Sequence, residues 1–524
     1  MSFDPRIRHY DPDHDGTSGS PVPSALAISL LALSLLWCIV WFVHSWGYWE
    51  DDSFIHLEFA RSFAAGHGFA FNGKVVYGDT APLWVFLLAG MHLLIPNWLV
   101  AGKVLAILGV FFSAAGVYVF SRRLTAKYSG STMFAAMMVL LFVLNPYFCY
   151  WSFSGMETLT AAGLALWGVV AAMSRPLTWP KFLLGCAVAG IAPLLRPELV
   201  FYTGILGLVL LYRRYIHPEI PSMSRKLAGF VAGLALLSGP TLAWAIYAVH
   251  TFGRVVPNTN AAKRAAPGSS VPMRLLNVYS LGYPVVLFAV LAALVYLALH
   301  ASEFRERVQA IRRSRVFASG GWIFVLWTSL ALVFYIVNHT YVQTRYILVS
   351  AVGLSIVAFA SLLAASPRLY RVCMVGSLIA AVGISIFSAW PFIRNKDIFV
   401  EEVRQQALFI RNELPPDAPV ADYNIGEIAY YSEHPIVDTG GITRPGAIPY
   451  LNAPRSEMIR WMRSEGAVYY VTTEKPEPGA VLVHSQTIPF IGWSLSPKRY
   501  AQTDLFNVWK LAPEEPVPAV PRRP

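Results

Sequence analysis

Three consecutive carboxylates, Glu50, Asp51 and Asp52, stand where the first long apolar run of the chain ends, in the stretch YWEDDSFIHLEF. One acidic residue suffices to cap a helix and meet the positive end of its dipole, a contribution of about 1 kcal/mol. Three in a row repel one another. The chemistry such a cluster offers is proton abstraction from an attacking hydroxyl, or the holding of a divalent cation (Mg2+, Mn2+ or Ca2+) through oxygen ligands. A helix N-terminus lowers a carboxylate pKa and neighbouring carboxylates raise it, two opposed effects that the sequence does not rank.

The elements that must position these residues are membrane helices. Of 524 residues 56% are hydrophobic and 14% charged, with a mean hydropathy of +0.50, far more apolar than a soluble chain of this length. Residues 24–44 carry no formal charge and are long enough to cover the roughly 30 Å hydrocarbon core; they read as a retained span rather than a cleaved signal. Further apolar segments fall at 82–96, 98–121, 131–148, 156–174, 181–195, 198–213, 227–250, 276–299, 319–337, 346–365 and 372–390. Cys38, Cys149, Cys186 and Cys373 lie in or at the ends of these segments without metal-ligand spacing, and read as packing residues.

Charge sets the expected orientation. From residue 397 onward there are 12 Lys/Arg against 16 Asp/Glu, so the excess of the net +11 lies in the membrane portion. Basic clusters at 213–226, 300–318 and 366–371 place those loops in the cytoplasm; each is pressed between apolar segments, which argues against nucleic acid as a partner. The N-terminus is then cytoplasmic, while the carboxylates and everything after residue 390 are extracytoplasmic. That requires about eleven crossings, one of 82–96, 98–121 or 131–148 not crossing. The expected fold is an all-α polytopic membrane domain over 23–396, including a first outside loop at 47–81, followed by a small α/β domain over 397–512. Composition predicts disordered tails at 1–22 and 513–524. In the loop, Ile55, Leu57, Phe59 and Phe63 against Glu58, Arg61 and Ser62 predict a short helix lying along the membrane surface, with turns at GHGF and NGK.

The stretches EDDSFIHLEFARSFAAGHGFAFN and YGDTAPLW resemble the first extracytoplasmic loop of polyprenyl-phosphate-dependent glycosyltransferases of the GT-C superfamily, nearest the lipid-linked arabinofuranosyl- and mannosyltransferase branch. SGMET at Ser154, LRPEL at Leu195, PNTNAAK at Pro257, TRY at Thr344 and ADYNIGEIAYYSEHPIVDTGGIT near the C-terminus are similar to later motifs in the same order. His56 and Glu58 stand where small or basic residues are more usual. The resemblance implies an inverting transfer from a polyprenyl-phosphate sugar to a hydroxyl of a glycan, lipid or protein acceptor, with Asp51 as base and Asp52 as second choice. It implies Lys263, Arg264, Arg345 and Arg196 as cations for the donor phosphate, and a substrate pocket that includes Glu50, His67, Asn72, Tyr77, Glu157, Glu198 and Asn258. If a metal is used, Asp51 and Asp52 are its implied ligands.

Each residue also has a structural reading. Arg345 at a span start could snorkel to lipid headgroups; Arg196 in an apolar hairpin is expensive unless paired, with Glu198 as the near partner; Glu157 could cap the following helix. His67, His92 and His339 lack a partner at metal-ligand spacing. Asp422 and Asp438 end predicted strands and read as structural. Two other classes compete: a transporter or flippase, which would be expected to show paired halves, and a non-catalytic envelope assembly protein, which should tolerate loss of the carboxylates.

Overall fold

The computed structural model describes residues 24–215, 223–265, 304–489 and 503–512, with positions 291 and 295. Both tails, and all but those two positions of the apolar segment 276–299, lie outside the described residues. The apolar runs form helices whose ends follow local chemistry. Ser24 accepts the Ala27 N–H at the start of Ala25–His44, and Asn97 accepts the Val100 N–H at the start of Trp98–Leu124. Asn145-Pro146 ends Ser131–Leu144 and starts Pro146–Trp151. Among the described residues five helices have the length and composition to cross a membrane: Ala25–His44, Trp98–Leu124, Leu227–Phe252, Thr344–Ala365 and Pro367–Glu413. A sixth arises if Val308–Ala318 and Gly321–Val337, bent by 89°, form one span. Pro82–His92, Ser131–Leu144, Thr158–Ala172 and Trp179–Leu195 are shorter apolar helices. At about 1.5 Å per residue, Pro82–His92 reaches only about half the hydrocarbon thickness.

The last of these helices changes character without breaking. Pro367–Ile384 passes through a π-helical turn at Ser385–Ala389 into Trp390–Glu413, whose buried face is Phe392, Ile393, Val400, Val403, Ala407 and Ile410. No loop separates membrane and C-terminal portions at 396/397. Beyond it, strands β3 (Val420–Asp422), β4 (Ile436–Asp438), β5 (Tyr469–Thr472), β6 (Val481–Pro489) and β7 (Thr503–Lys510) form a sheet of order β4-β3-β5-β7-β6. β3 runs parallel to both neighbours, and β7 antiparallel to β5 and β6.

The first loop differs from expectation. Its helix, Asp51–Ala64, does not lie on a surface: every residue from Ser53 to Ala60 is buried, including His56 and Glu58. The cover on its polar side is the C-terminal domain, where Phe54 meets Tyr430 and Tyr431 at 5.3 and 5.6 Å between ring centroids and Arg61 lies over the Tyr430 ring. Asn72 and Gly73, at φ 49° and 74°, make the two-residue turn of a hairpin between β1 (Ala70–Phe71) and β2 (Lys74–Val75), the turn type for which Asn-Gly is favoured.

Candidate functional site

The carboxylates sit where the first loop, the bundle and the C-terminal domain meet, and each is held differently. Glu50 is buried and accepts hydrogen bonds from the Tyr48 and Tyr150 hydroxyls, both at 2.8 Å, with Lys396 Nζ 3.7 Å away. It therefore anchors the loop. Asp51 is half-buried and accepts the backbone N–H of Gly426 at Oδ2 (3.1 Å) and of Glu427 at Oδ1 (2.9 Å). These amides open the C-terminal domain helix Ile425–Ser432, so the carboxylate caps a helix 375 residues away in sequence. The approach requires glycine: a Cβ on Gly426 would overlap the Asp51 carbonyl oxygen and come 3.0 Å from Oδ1. Asp52, its side chain 30% exposed, pairs with the Arg345 guanidinium.

Their protonation follows from these surroundings. Burial drives the Asp51 pKa up to about 7; the Glu427 and Gly426 amides oppose the rise, and the neighbouring Asp52 and Glu50 charges add to it. Burial acts to raise Asp52 as well, but Arg345 and then Lys263 outweigh it and hold it at about 2.

Around Tyr346 three cations converge. Arg196, Lys263 and Arg345 lie 4.9, 5.0 and 5.5 Å from its ring centroid, and Lys263 donates to its hydroxyl. Arg345 is buried, so it does not snorkel to headgroups; Arg345 also lies 5.2 Å over the Trp151 ring. Arg196 is neutralised twice, by Glu157 (2.6 Å) and Glu198 (2.5 Å). Glu157 makes no side-chain cap to its own helix; its other oxygen lies 3.4 Å from His56 Nε2, whose Nδ1 is 2.5 Å from Asp79. Burial acts to lower the His56 pKa, but Asp79 and Glu157 raise it to about 10, so the ring is charged at neutral pH. Asp79, His56, Glu157, Arg196 and Glu198 thus form one buried chain of alternating charge. Lys263 makes no ion pair among the described residues.

Other expected site residues take different places. Asn72 is a tie between domains: its Nδ2 donates to the His434 carbonyl and its Oδ1 accepts the Ile436 N–H, both at 2.8 Å. Tyr77 is packed against Phe252 and accepts from Trp244. Asn258 accepts from Arg254, and its N–H donates to the Tyr77 carbonyl. His67 and Arg264 are exposed and are not brought to the carboxylates. Sequence reasoning missed Asp79 and Lys103. Lys103, 2% exposed, donates to the carbonyls of Ser45, Tyr48 and Phe153 and fixes the entry to the loop. A lone lysine inside an apolar 27-residue helix was the available signal.

The oxygens of Asp51 face amides and those of Asp52 a guanidinium, and among the described residues no three His, Cys, Asp or Glu side chains are arranged to hold a metal ion.

The bundle of apolar helices followed by a small α/β domain is a GT-C-like fold. The chain is similar to ArnT of Cupriavidus metallidurans bound to undecaprenyl phosphate, at TM-score 0.58 and 15% identity over 93% of this chain and 98% of that one. It is similar to apo ArnT at TM-score 0.53 and 15% identity, over 92% and 97%. The apo oligosaccharyltransferase of Archaeoglobus fulgidus matches at TM-score 0.50 and 12% identity, over 85% and 69%. Residues 394–515 match a family described as a domain of unknown function, DUF8728. No curated protein sequence matches the chain.

Proposed function

We propose that this protein is an inverting glycosyltransferase that moves a sugar from a polyprenyl-phosphate carrier to a hydroxyl acceptor on the extracytoplasmic face of the membrane. The observation that carries the reading is the split between two adjacent carboxylates. Asp51 is held by backbone donors with a pKa near 7, suited to a base. Asp52 stays ionised and orients Arg345. Environments that drive neighbouring titratable groups apart are how one site separates its roles. In this reading Asp51 takes the acceptor proton as the hydroxyl oxygen attacks the anomeric carbon, and the polyprenyl phosphate departs with the bonding electron pair. Lys263 and Arg345 stabilise its growing negative charge beside Tyr346, while Arg196, already balanced by two carboxylates, fixes the aromatic ring between them. The ArnT structure with undecaprenyl phosphate supports a lipid-phosphate carrier as partner.

The test is transfer by purified protein from a panel of polyprenyl-phosphate sugars. Asp51→Asn should lower kcat by about 10²–10⁴-fold. Asp52→Asn should raise the donor KM, because Arg345 loses its orienting partner. Equal turnover by wild type and both variants would refute the assignment.

A further inference from the structure

The C-terminal sheet reverses direction at β3. The chain leaves β3 through Ile425–Ser432 to reach β4 on one side, then crosses through Arg455–Ser464 to β5 on the other. In α/β sheets the crevice beyond the carboxyl ends of the strands at such a reversal is the position that receives ligands. The residue placed there is Tyr423, directly after the last residue of β3. Its side chain is presented rather than packed: Tyr423 is 64% exposed although its neighbour Asp422 is fully buried. Asp422 Oδ1 accepts the N–H groups of both Tyr423 (2.6 Å) and Asn424 (3.0 Å) and so fixes the turn. Gly440, after β4, backs the ring; a Cβ there would come 3.5 Å from a ring carbon. The second Asp422 oxygen is buried and has no hydrogen-bond partner among the described residues.

Three and four residues after Tyr423, the N–H groups of Gly426 and Glu427 donate to Asp51 at 3.1 and 2.9 Å, so the turn that carries Tyr423 adjoins that carboxylate. Tyr423 therefore flanks the carboxylate pair from the C-terminal domain, whereas Tyr346 and its cations flank it from the bundle. A donor whose tail lies among the membrane helices approaches from the Tyr346 side. The Tyr423 side is left for the second substrate. An open aromatic face beside carboxylates is the chemistry of carbohydrate recognition, because the C–H face of a sugar ring stacks on the aromatic ring and its hydroxyls donate to the acids.

We propose that Tyr423 is the stacking platform for a neutral sugar ring of the acceptor, seating the hydroxyl to be glycosylated against Asp51. The proposal rests on the transferase reading for the purpose of the site, and on the topology and exposure of Tyr423 for its place.

The experiment uses full-length protein in lipid nanodiscs and neutral trisaccharides built from pyranose or furanose units. Binding is read by titration calorimetry and transfer by acceptor KM. Tyr423→Ala should weaken trisaccharide binding by about threefold to tenfold, as expected for one aromatic contact, with Tyr423→Trp near wild type. Acceptor KM should rise in proportion, with donor KM unchanged. Because the residue is exposed, the variants should keep the wild-type melting temperature. Wild-type acceptor KM in Tyr423→Ala overturns the platform and leaves the transferase standing. Trisaccharide binding that depends on Tyr423 in a protein that transfers no sugar supports the platform and removes the transferase. Absence of trisaccharide binding by wild type counts against the platform.

Discussion

Replacing Gly426 by alanine tests the link between the C-terminal domain and the proposed base. The added methyl would overlap the Asp51 carbonyl and crowd Oδ1 at 3.0 Å, against backbone that cannot swing aside. The Ile425–Ser432 helix must back away, lengthening the Gly426 and Glu427 N–H contacts now at 3.1 and 2.9 Å. Hydrogen bonds to a charged acceptor contribute roughly 1.5–3 kcal/mol each. Weakening both by about half removes roughly 1.5–3 kcal/mol from the ionised form, which at about 1.4 kcal/mol per unit raises the Asp51 pKa by about one to two units. From a starting value of about 7, the fraction of ionised base at pH 7 falls from about one half to about a tenth or less. The expected result is a kcat/KM at pH 7 reduced about fivefold or more, most of it recovered at pH 9, with the rising limb of the pH profile displaced upward. The assay is sugar transfer against pH for wild type and Gly426→Ala, with the melting temperature as control for folding. A profile that keeps its wild-type midpoint while the rate drops uniformly would refute the argument.

Lys103→Met takes the lysine donor from the buried Tyr48 and Phe153 carbonyls at roughly 1–3 kcal/mol each, while Ser45 keeps the Tyr48 N–H, so the melting temperature of the detergent-solubilised protein should fall by several degrees. Asn72→Ala removes two hydrogen bonds from the first hairpin to the His434–Ile436 segment; hydrogen exchange should rise at the Ile436 N–H while the bundle stays protected. The folded-state pKa of His56, about 10, lies above its value of about 6.5 in an unfolded chain. Its contribution is therefore fully present below pH 6.5 and lost as pH rises through 10, and wild-type stability should decline over that window more steeply than that of His56→Gln. Arg345→Gln strands the Asp52 carboxylate and should raise the donor KM at least tenfold; an unchanged KM would remove Arg345 from the phosphate site.

The parts legible in the sequence are those whose signal is local. Apolar runs marked the helices, and the predicted strands ending at Asp422 and Asp438 are β3 and β4 of the C-terminal sheet. Arg196, Glu198 and Glu157 stood out because charge among apolar residues is costly without partners, and the partners proved to be one another. β6 was missed because its residues are mostly exposed and carry no clean alternation of polar and apolar, and Arg455–Ser464 because it is short and polar on all but one face. The contacts that define the site are a different matter. Asp51 with Gly426, Asn72 with His434 and His56 with Asp79 join residues that no periodicity connects. The resemblance implies Asn72 and Tyr77 as pocket residues; in the structure their polar atoms tie elements together.

The uninterrupted helix from Pro367 to Glu413 carries the C-terminal domain directly on a helix of the apolar bundle. At about 1.5 Å and 100° per residue, its 47 residues form a shaft of about 70 Å, with Trp390 stacked on His44 near the point where it leaves the apolar core. A single residue inserted near position 398 would turn the C-terminal domain by about 100°, carrying Gly426 and Tyr423 away from Asp51 while leaving every membrane helix intact. Spacing along that shaft is thus as much a determinant of the site as the side chains themselves.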